Sequence, residues 1–500
     1  MKYSNYIIYT VIILSACNLA HDLDDFEPQY VTSSEVVVTD QQSAEVVLTG
    51  VYSGFTQKSF QPSPYPYIAT VQARLGLTGK EGFFPDEDMK LFDVNNPSIE
   101  SSTLQTRLYS GPYNQINAAN WLLQGLESVP DEEFDPVSRK KEMIAEARAI
   151  RAINHFYLLR LFGQFYDVSS AYGIVLRESP SIGNASSPRA SVAEVYTSIH
   201  EDLDYAISNA PDLIEKWYIN KTFAKALQAK VYLYQGNYSE AATLANEIIS
   251  AGNPDFALSP TYAEIFDSTT DNIFRTPEVL FCIWTDGSNV DTGIGNFWYL
   301  DTVLSSDYIS LLETGTITLS SNGQTLTLAG TDRVTETIGT DLFGLGVTPH
   351  GKFDLSFLGL YSTYYHFRMS EVYLIHAEAA ARANGSSVPA EALVSLNAVR
   401  ARAGAVPNDG SDGFQEYPAS ITYDEFLEAV RLEKLIELGG ENGEDYFDLV
   451  RYDYADGGFS SGWAASNAKA TMTNPSRFIM PIPQAFVDVS NGVVEQNPEY

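Results

Sequence analysis

The stretch from Lys221 to Ala251 constrains the fold of this chain more than any other. It carries Ala229-x2-Tyr232-x3-Gly236-x-Tyr238-x2-Ala241-x3-Ala245, close to the tetratricopeptide pattern of two antiparallel helices. Small residues let the two helices approach, and Gly236 fits the turn between them. A second unit of the same kind is expected over Arg368 to Arg402. There Ala377, Ala380 and Ala381 fall on the first helix, and Ala392, Leu396 and Val399 on the second. Two further helices are legible from their periods. Ser191 to Ala210 opens on a serine with Glu194 three positions on, the spacing of a capping box, and Val195, Ile199, Leu203 and Ile207 then follow near helical spacing. Glu142 to Phe162 places Ala145, Ala149, Ala152, Phe156 and Leu159 along one side.

The segments between these helices read differently. Residues 61–96 are rich in Pro, Gly and aromatics, and residues 282–348 in Gly, Thr, Ser and Asp. Leu311 to Leu328 alternates locally, which predicts a hairpin. No linker is long or polar enough to split the chain. The expected fold class is mostly α, with tetratricopeptide-like helix pairs, irregular loop insertions and minor β-hairpins. Function is expected in the insertions, because loops on a rigid scaffold commonly carry it.

The N-terminus sets an expectation for the compartment. Lys2 precedes an apolar run from Tyr6 to Ala16, which ends at Cys17. That run is far short of the ~20 residues a membrane-spanning helix needs, and has the size of a signal-peptide core. Leu14-Ser15-Ala16-Cys17 resembles the bacterial lipobox, in which the cysteine thiol accepts the acyl chains. The expected organisation is a lipoprotein signal over 1–16, a lipidated acidic tether over 17–30 and one helical domain over 31–500. Acidic residues outnumber basic ones, 64 to 30, for a net charge of −34. Such a surface repels phosphate backbones and anionic headgroups, so nucleic acid is not an expected partner.

Across nearly the whole mature chain the residues resemble the SusD/RagB family of glycan-binding outer-membrane lipoproteins. Glu146-Ala147-Arg148-Ala149-Ile150-Arg151-Ala152, with Phe156-Tyr157-Leu158 and Phe162-Gly163, looks like its first long helix. Arg189-Ala190-Ser191-Val192 and Asp202-Leu203 mark the second. Arg368-Met369-Ser370-Glu371-Val372-Tyr373-Leu374-Ile375-His376-Ala377-Glu378 is the most specific run, followed by Leu396-Asn397-Ala398-Val399-Arg400-Ala401-Arg402-Ala403-Gly404. Glu433-Lys434-Leu435-Ile436-Glu437-Leu438, Asp448-Leu449-Val450-Arg451, Pro481-Ile482-Pro483-Gln484 and Gln496-Asn497-Pro498 complete the order. The chain departs from the family at Lys434 and at Gly440-Glu441-Asn442-Gly443-Glu444, which implies a different salt-bridge arrangement there.

The resemblance implies a surface-exposed lipoprotein of a Gram-negative, Bacteroidetes-type outer membrane. It would capture an oligosaccharide or polysaccharide and deliver it to a SusC-like TonB-dependent transporter. It implies no catalysis and no cofactor; whether a metal is bound is left open. A peptide-binding uptake component of the same family is the alternative reading, and a surface glycoside hydrolase a further one. The hydrolase needs only two suitably spaced carboxylates, and nothing in the sequence singles out a pair. His376-x-Glu378 has no Pro-Cys-x-x-Cys after it, and no His-Glu-x-x-His occurs.

Sugars present apolar C–H faces and hydroxyl edges, so their sites pair aromatic planes with polar side chains. Two segments offer both. The first holds Trp284, Asp286, Asn289, Asn296, Phe297, Trp298 and Tyr299; the second holds Tyr65, Tyr67, Arg74 and Phe83. In the family, loops at these places converge on the ligand face. Trp284 follows Phe281-Cys282-Ile283, so a core reading stands beside the platform reading for it, and Phe83 and Phe84 are open to packing in the same way. Trp121 and Trp217 read as structural, Trp463 stays open, and Cys282 reads as a small buried hydrophobe.

Overall fold

The computed structural model describes residues 38–55, 76–78, 88, 91–92, 96–182, 186–267, 269, 274–285, 302–342, 344–353, 362–455 and 478–500. The segments expected to be the signal (1–16) and the tether (17–30), with Cys17, lie outside these residues.

Helices dominate. α1 (Gln41–Ser53) starts at a capping box built by Asp40 and Ser43. A π-helical stretch, Leu104–Ser110, runs into α2 (Gly111–Glu127). α3 (Ser138–Phe162) is buried all round over most of its length, with Ala145, Ala149, Phe156 and Leu159 in the core. Its buried positions include Glu146, Arg151, Asn154 and Arg160 as well as the apolar ones, and α3 packs against both α2 and α4 (Val192–Asn209). The Ser191 hydroxyl accepts from the Glu194 amide while the Glu194 carboxylate accepts from the Ser191 amide at 2.8 Å, which completes the expected capping box.

The two repeat units form as expected. α5 (Lys221–Gln235) and α6 (Tyr238–Ser250) pack together, and Gly236 between them adopts φ 84°, in the left-handed region. α9 (Met369–Asn384) and α10 (Ala390–Arg402) form the second pair, with Ala377, Ala381, Ala392 and Leu396 buried between them. α9 also packs on α6, so the two units join through their inner helices. α11 (Tyr423–Leu438), capped by Thr422 and Glu425, lies against α9 and α12 (Glu444–Ala455). A short α13 (Gln484–Val489) closes the chain near α2.

Among the described residues the strands come in three antiparallel pairs. β1 (Gly76–Thr78) pairs β3 (Thr302–Leu304), β2 (Val279–Thr285) pairs β6 (Ser362–Arg368), and β4 (Thr316–Thr318) pairs β5 (Thr325–Thr327). The last is the expected hairpin, but shorter, because Leu311 belongs to a helix. That helix, α7 (Ser306–Thr314), is capped by the Ser305 hydroxyl, and α8 (Thr331–Thr337) follows the hairpin. Nine and seven residues are too few to show a helical period in a Ser/Thr-rich stretch.

The Arg and Glu residues of the motifs hold the helices together from inside. Arg151 on α3 reaches Asp202 on α4 at 2.7 Å. Glu433 on α11 receives Arg333 and Arg400, each at 2.7 Å. Arg368 meets Glu441 at 2.7 Å and Glu278 at 3.0 Å. At the departure from the family motif, Lys434 bridges Glu378 at 2.9 Å and Asp448 at 3.0 Å. Glu444 accepts from Arg160 at 2.6 Å, Lys230 at 2.9 Å and Tyr234 at 2.7 Å. Buried charges persist only when paired in this way.

Candidate ligand-binding site

β2 carries Trp284 to the edge of the described structure, opposite Thr363 of β6. The strand is anchored behind it. The Cys282 amide donates to the Lys216 carbonyl at 3.0 Å, and the Asn220 side-chain amide donates to the Leu280 carbonyl at 3.0 Å. These bonds bring residues 216–220 alongside the strand and set Trp217 beside Trp284, ring centres 5.3 Å apart. Phe274 stacks on Trp284 at 4.5 Å with 22° between the planes. Arg275 is exposed, and its guanidinium stands 5.6 Å from the Trp217 ring and 5.5 Å from Phe274, within cation–π reach.

Both tryptophans are half-buried, while Phe274 beneath them is buried. One face of each indole is therefore committed to packing while part of each ring remains open. Trp284 packs on a small core with Tyr262, Ile265 and Cys282 and is only half-buried. Trp217, read as structural from the sequence, joins it. Next to Trp217, burial lowers the Lys216 ammonium to about 8; it sits over the Phe256 ring and donates to the Asp255 carbonyl.

Of the residues expected to bind ligand, Trp284 is the one within the described structure. Tyr65, Tyr67, Arg74, Phe83, Asp286, Asn289, Asn296, Phe297, Trp298 and Tyr299 lie outside it, as does Trp463. The two segments that carry them are nonetheless linked. β1 falls between Arg74 and Phe83 in the chain, β3 begins three residues after Tyr299, and the two strands pair with Gly76 opposite Leu304. Strands about 220 residues apart in sequence thus form one two-stranded ribbon.

The remaining candidates are structural. Cys282 is fully buried, with its thiol pushed up by burial, and the thiol faces the Phe274 carbonyl. His376 is buried and shares a hydrogen bond with the Ser395 hydroxyl at 2.8 Å, which supports packing for the His376-x-Glu378 pair. Among the described residues no His, Cys, Asp and Glu group could hold a metal ion. The sequence offered no signal for Trp217, because hydrogen bonds between residues 216–220 and β2, not spacing, bring it to the platform, nor for Arg275, whose place is set by its contacts with the Trp217 and Phe274 rings.

Comparison with known proteins covers both halves. Residues 359–500 match the family described as the SusD family, and residues 69–233 match one described as starch-binding associating with outer membrane. A SusD-like protein of Formosa agariphila is 24% identical over 302 residues, 59% of this chain and 55% of that protein. One of Bacteroides ovatus is 26% identical over 216 residues, 41% of this chain and 36% of that protein. The matches thus span about half or less of these curated relatives. Among solved structures, a SusD superfamily protein from Bacteroides thetaiotaomicron superposes with a TM-score of 0.70 at 22% identity, over 92% of this chain and 99% of that one. A laminarin-binding SusD-like protein does so with a TM-score of 0.70 at 22% identity, over 92% and 100%. At that identity the likeness shows the fold.

Proposed function

The chain belongs to the SusD/RagB family, and from that premise we propose that it captures an oligosaccharide or polysaccharide at the outer-membrane surface. It passes this ligand to a SusC-like TonB-dependent transporter, and it performs no catalytic turnover itself. Cys17 carries the lipid anchor, residues 17–30 form the tether, and residues 31–500 act as one helical domain.

The observation that carries this reading is the half-exposed Trp217–Trp284 pair over Phe274, flanked by exposed Arg275, where the aromatic segment beginning at Trp284 starts. Indole faces suit the C–H faces of sugar rings, and an exposed guanidinium suits their hydroxyl edges. The ribbon of β1 and β3 supports a site shared by both aromatic segments. The laminarin-binding protein of the same fold supports glycan as the ligand class.

Native affinity electrophoresis across a polysaccharide panel tests it. One polysaccharide should retard the full chain, and retardation should fall in Trp284→Ala and in Trp298→Ala, with circular dichroism unchanged. No retardation by any polysaccharide, together with binding of a peptide library, would replace glycan by peptide. Release of reducing ends by the purified protein would overturn the non-catalytic reading. Cys17→Ala should abolish acylation by mass; an unchanged lipid mass would remove the anchor.

A further inference from the structure

A second cleft lies elsewhere in the molecule, and none of its lining residues belongs to the tryptophan platform. It encloses about 250 Å³ between the π-helical stretch, α2, residues 175–181 with Ser186, and the C-terminal segment around α13. Tyr109, Tyr113 and Phe486 form its apolar wall, with Tyr109 4.9 Å from Tyr113 and 4.7 Å from Phe486. Asn114, Asn117, Ser181 and Arg177 supply polar edges.

The cleft is a built feature. The Tyr113 hydroxyl donates to the Val175 carbonyl at 3.0 Å. Asn117 grips Ser181 twice, through its amide donated to the Ser181 carbonyl at 3.2 Å and its carbonyl accepting the Ser181 amide at 2.8 Å. These bonds hold residues 175–181 against α2. Tyr109 and Ser110 end the seven-residue π-helix, where the Ser110 hydroxyl donates to the Gln105 carbonyl at 2.7 Å. π-helical turns are rare and gather at functional sites.

Its charge runs against the rest of the protein. The chain as a whole carries −34, yet among the described residues that line the cleft Arg177 is the one charged group, and its guanidinium also donates to the Ser187 hydroxyl at 3.1 Å. Behind the wall, Arg189 donates to the Gly173 carbonyl at 2.7 Å and the Phe162 carbonyl at 3.1 Å. A guanidinium suits carboxylates and tetrahedral oxyanions alike, which it can bind with two parallel hydrogen bonds. A volume below the usual range for drug-sized ligands suits one or two sugar rings rather than a long polymer segment.

We propose that this cleft binds an acidic sugar ring, a uronate or a sulfate ester, with its C–H face on Tyr109, Tyr113 and Phe486 and its anionic group at Arg177. The assignment rests on the glycan reading above only for the kind of ligand; the site is separate. Calorimetric titration of the detergent-solubilised full chain with trigalacturonate, a glucuronate trisaccharide and a sulfated galactose trisaccharide tests it, with maltotriose as the neutral control.

At least one acidic trisaccharide should bind more tightly than maltotriose. Arg177→Gln should weaken it about tenfold, equivalent to about 1.4 kcal/mol. Arg177→Lys, which keeps the charge, should restore part of the affinity. Exposed Asn114→Ala should weaken binding by a smaller factor, and Trp284→Ala should leave it unchanged. Equal affinity for maltotriose, no effect of Arg177→Gln in a folded protein, or no binding of any acidic trisaccharide at about 10 mM, far above typical ligand Kd values, would overturn the assignment. Acidic-sugar binding that survives without any polysaccharide retardation would fail the platform and spare the cleft; the reverse pattern would fail the cleft alone.

Discussion

Arg400 is fully buried and holds three elements at once. Its guanidinium donates to Glu433 at 2.7 Å and to the Leu328 carbonyl at 3.0 Å, and also reaches the Thr327 and Gln415 carbonyls. Removing one member of a buried pair strands the other charge in a medium that cannot solvate it. Arg400→Met should therefore cost about 3–5 kcal/mol, read by urea unfolding; a loss below about 1 kcal/mol would mean Glu433 is satisfied by Arg333 and Tyr417 alone. Lys230 poses a different problem, because it lies 2.5 Å from Glu371 and 2.9 Å from Glu444. Glu444, which Arg160 also faces, is held well below the usual carboxylate range by Lys230 and Arg160 against burial. In Glu371 burial wins over Lys230, and its carboxyl is pushed up to about 7. A carboxyl with a raised folded value keeps its proton in the folded state while the unfolded chain has lost it. Stability from Glu371 is therefore full below about 4.5 and is lost as pH rises towards 7. Glu371→Gln has no such proton to lose. Relative to the parent, it should gain about 1–3 kcal/mol between pH 5 and 8 in urea titrations, and a constant difference would refute the raised value.

At the scale of elements, two glycines separate backbone conformation from space. Gly236 has φ 84°, and nothing lies within 4 Å of where a Cβ would stand, so Gly236→Ala meets only left-handed strain of about 1–2 kcal/mol. Gly173 has an ordinary φ, but its added Cβ would stand 2.4 Å from the Ala190 carbonyl oxygen, where the chain crosses residues 190–191. Gly173→Ala should destabilise more than Gly236→Ala in urea unfolding, and the opposite order would contradict this packing. The same contrast explains what could be read from the sequence. Gly236 with Ala229, Ala241 and Ala245 announces a helix pair because the constraint is local and periodic. The Ser191–Glu194 cap and the α9–α10 pair were legible for the same reason. α7 and α8 were not, because a short helix shows little beyond its cap. Neither the Trp217–Trp284 contact nor the meeting of Tyr109 with Phe486 leaves a pattern in the chain. The first is made by hydrogen bonds between residues 216–220 and β2, the second by the return of the C-terminus to α2. Both join residues too distant for any period to link them.

Across the whole molecule the charges segregate by depth. Among the described residues, eleven Lys or Arg and eleven Asp or Glu are buried. The interior is thus balanced in formal charge, and the remaining residues carry the full net −34. Buried pairs lie beyond the reach of mobile ions, whereas surface charges are screened over about 10 Å at 0.1 M salt. Salt therefore acts here mainly on the self-repulsion of an acidic shell, which opposes the compact state. The melting temperature should rise as NaCl increases from about 10 to 200 mM, a range that shortens the Debye length about fourfold. A fall would show that exposed pairs such as Lys225–Glu247, 2.8 Å apart, outweigh that repulsion. The same shell shapes capture. A neutral glycan approaches it without long-range repulsion, so affinity at the tryptophan platform should change little over that salt range, because stacking and neutral hydrogen bonds are only weakly screened. A steep salt dependence of polysaccharide retardation would instead make charge the carrier of binding, and would exclude the stacking platform as its main source.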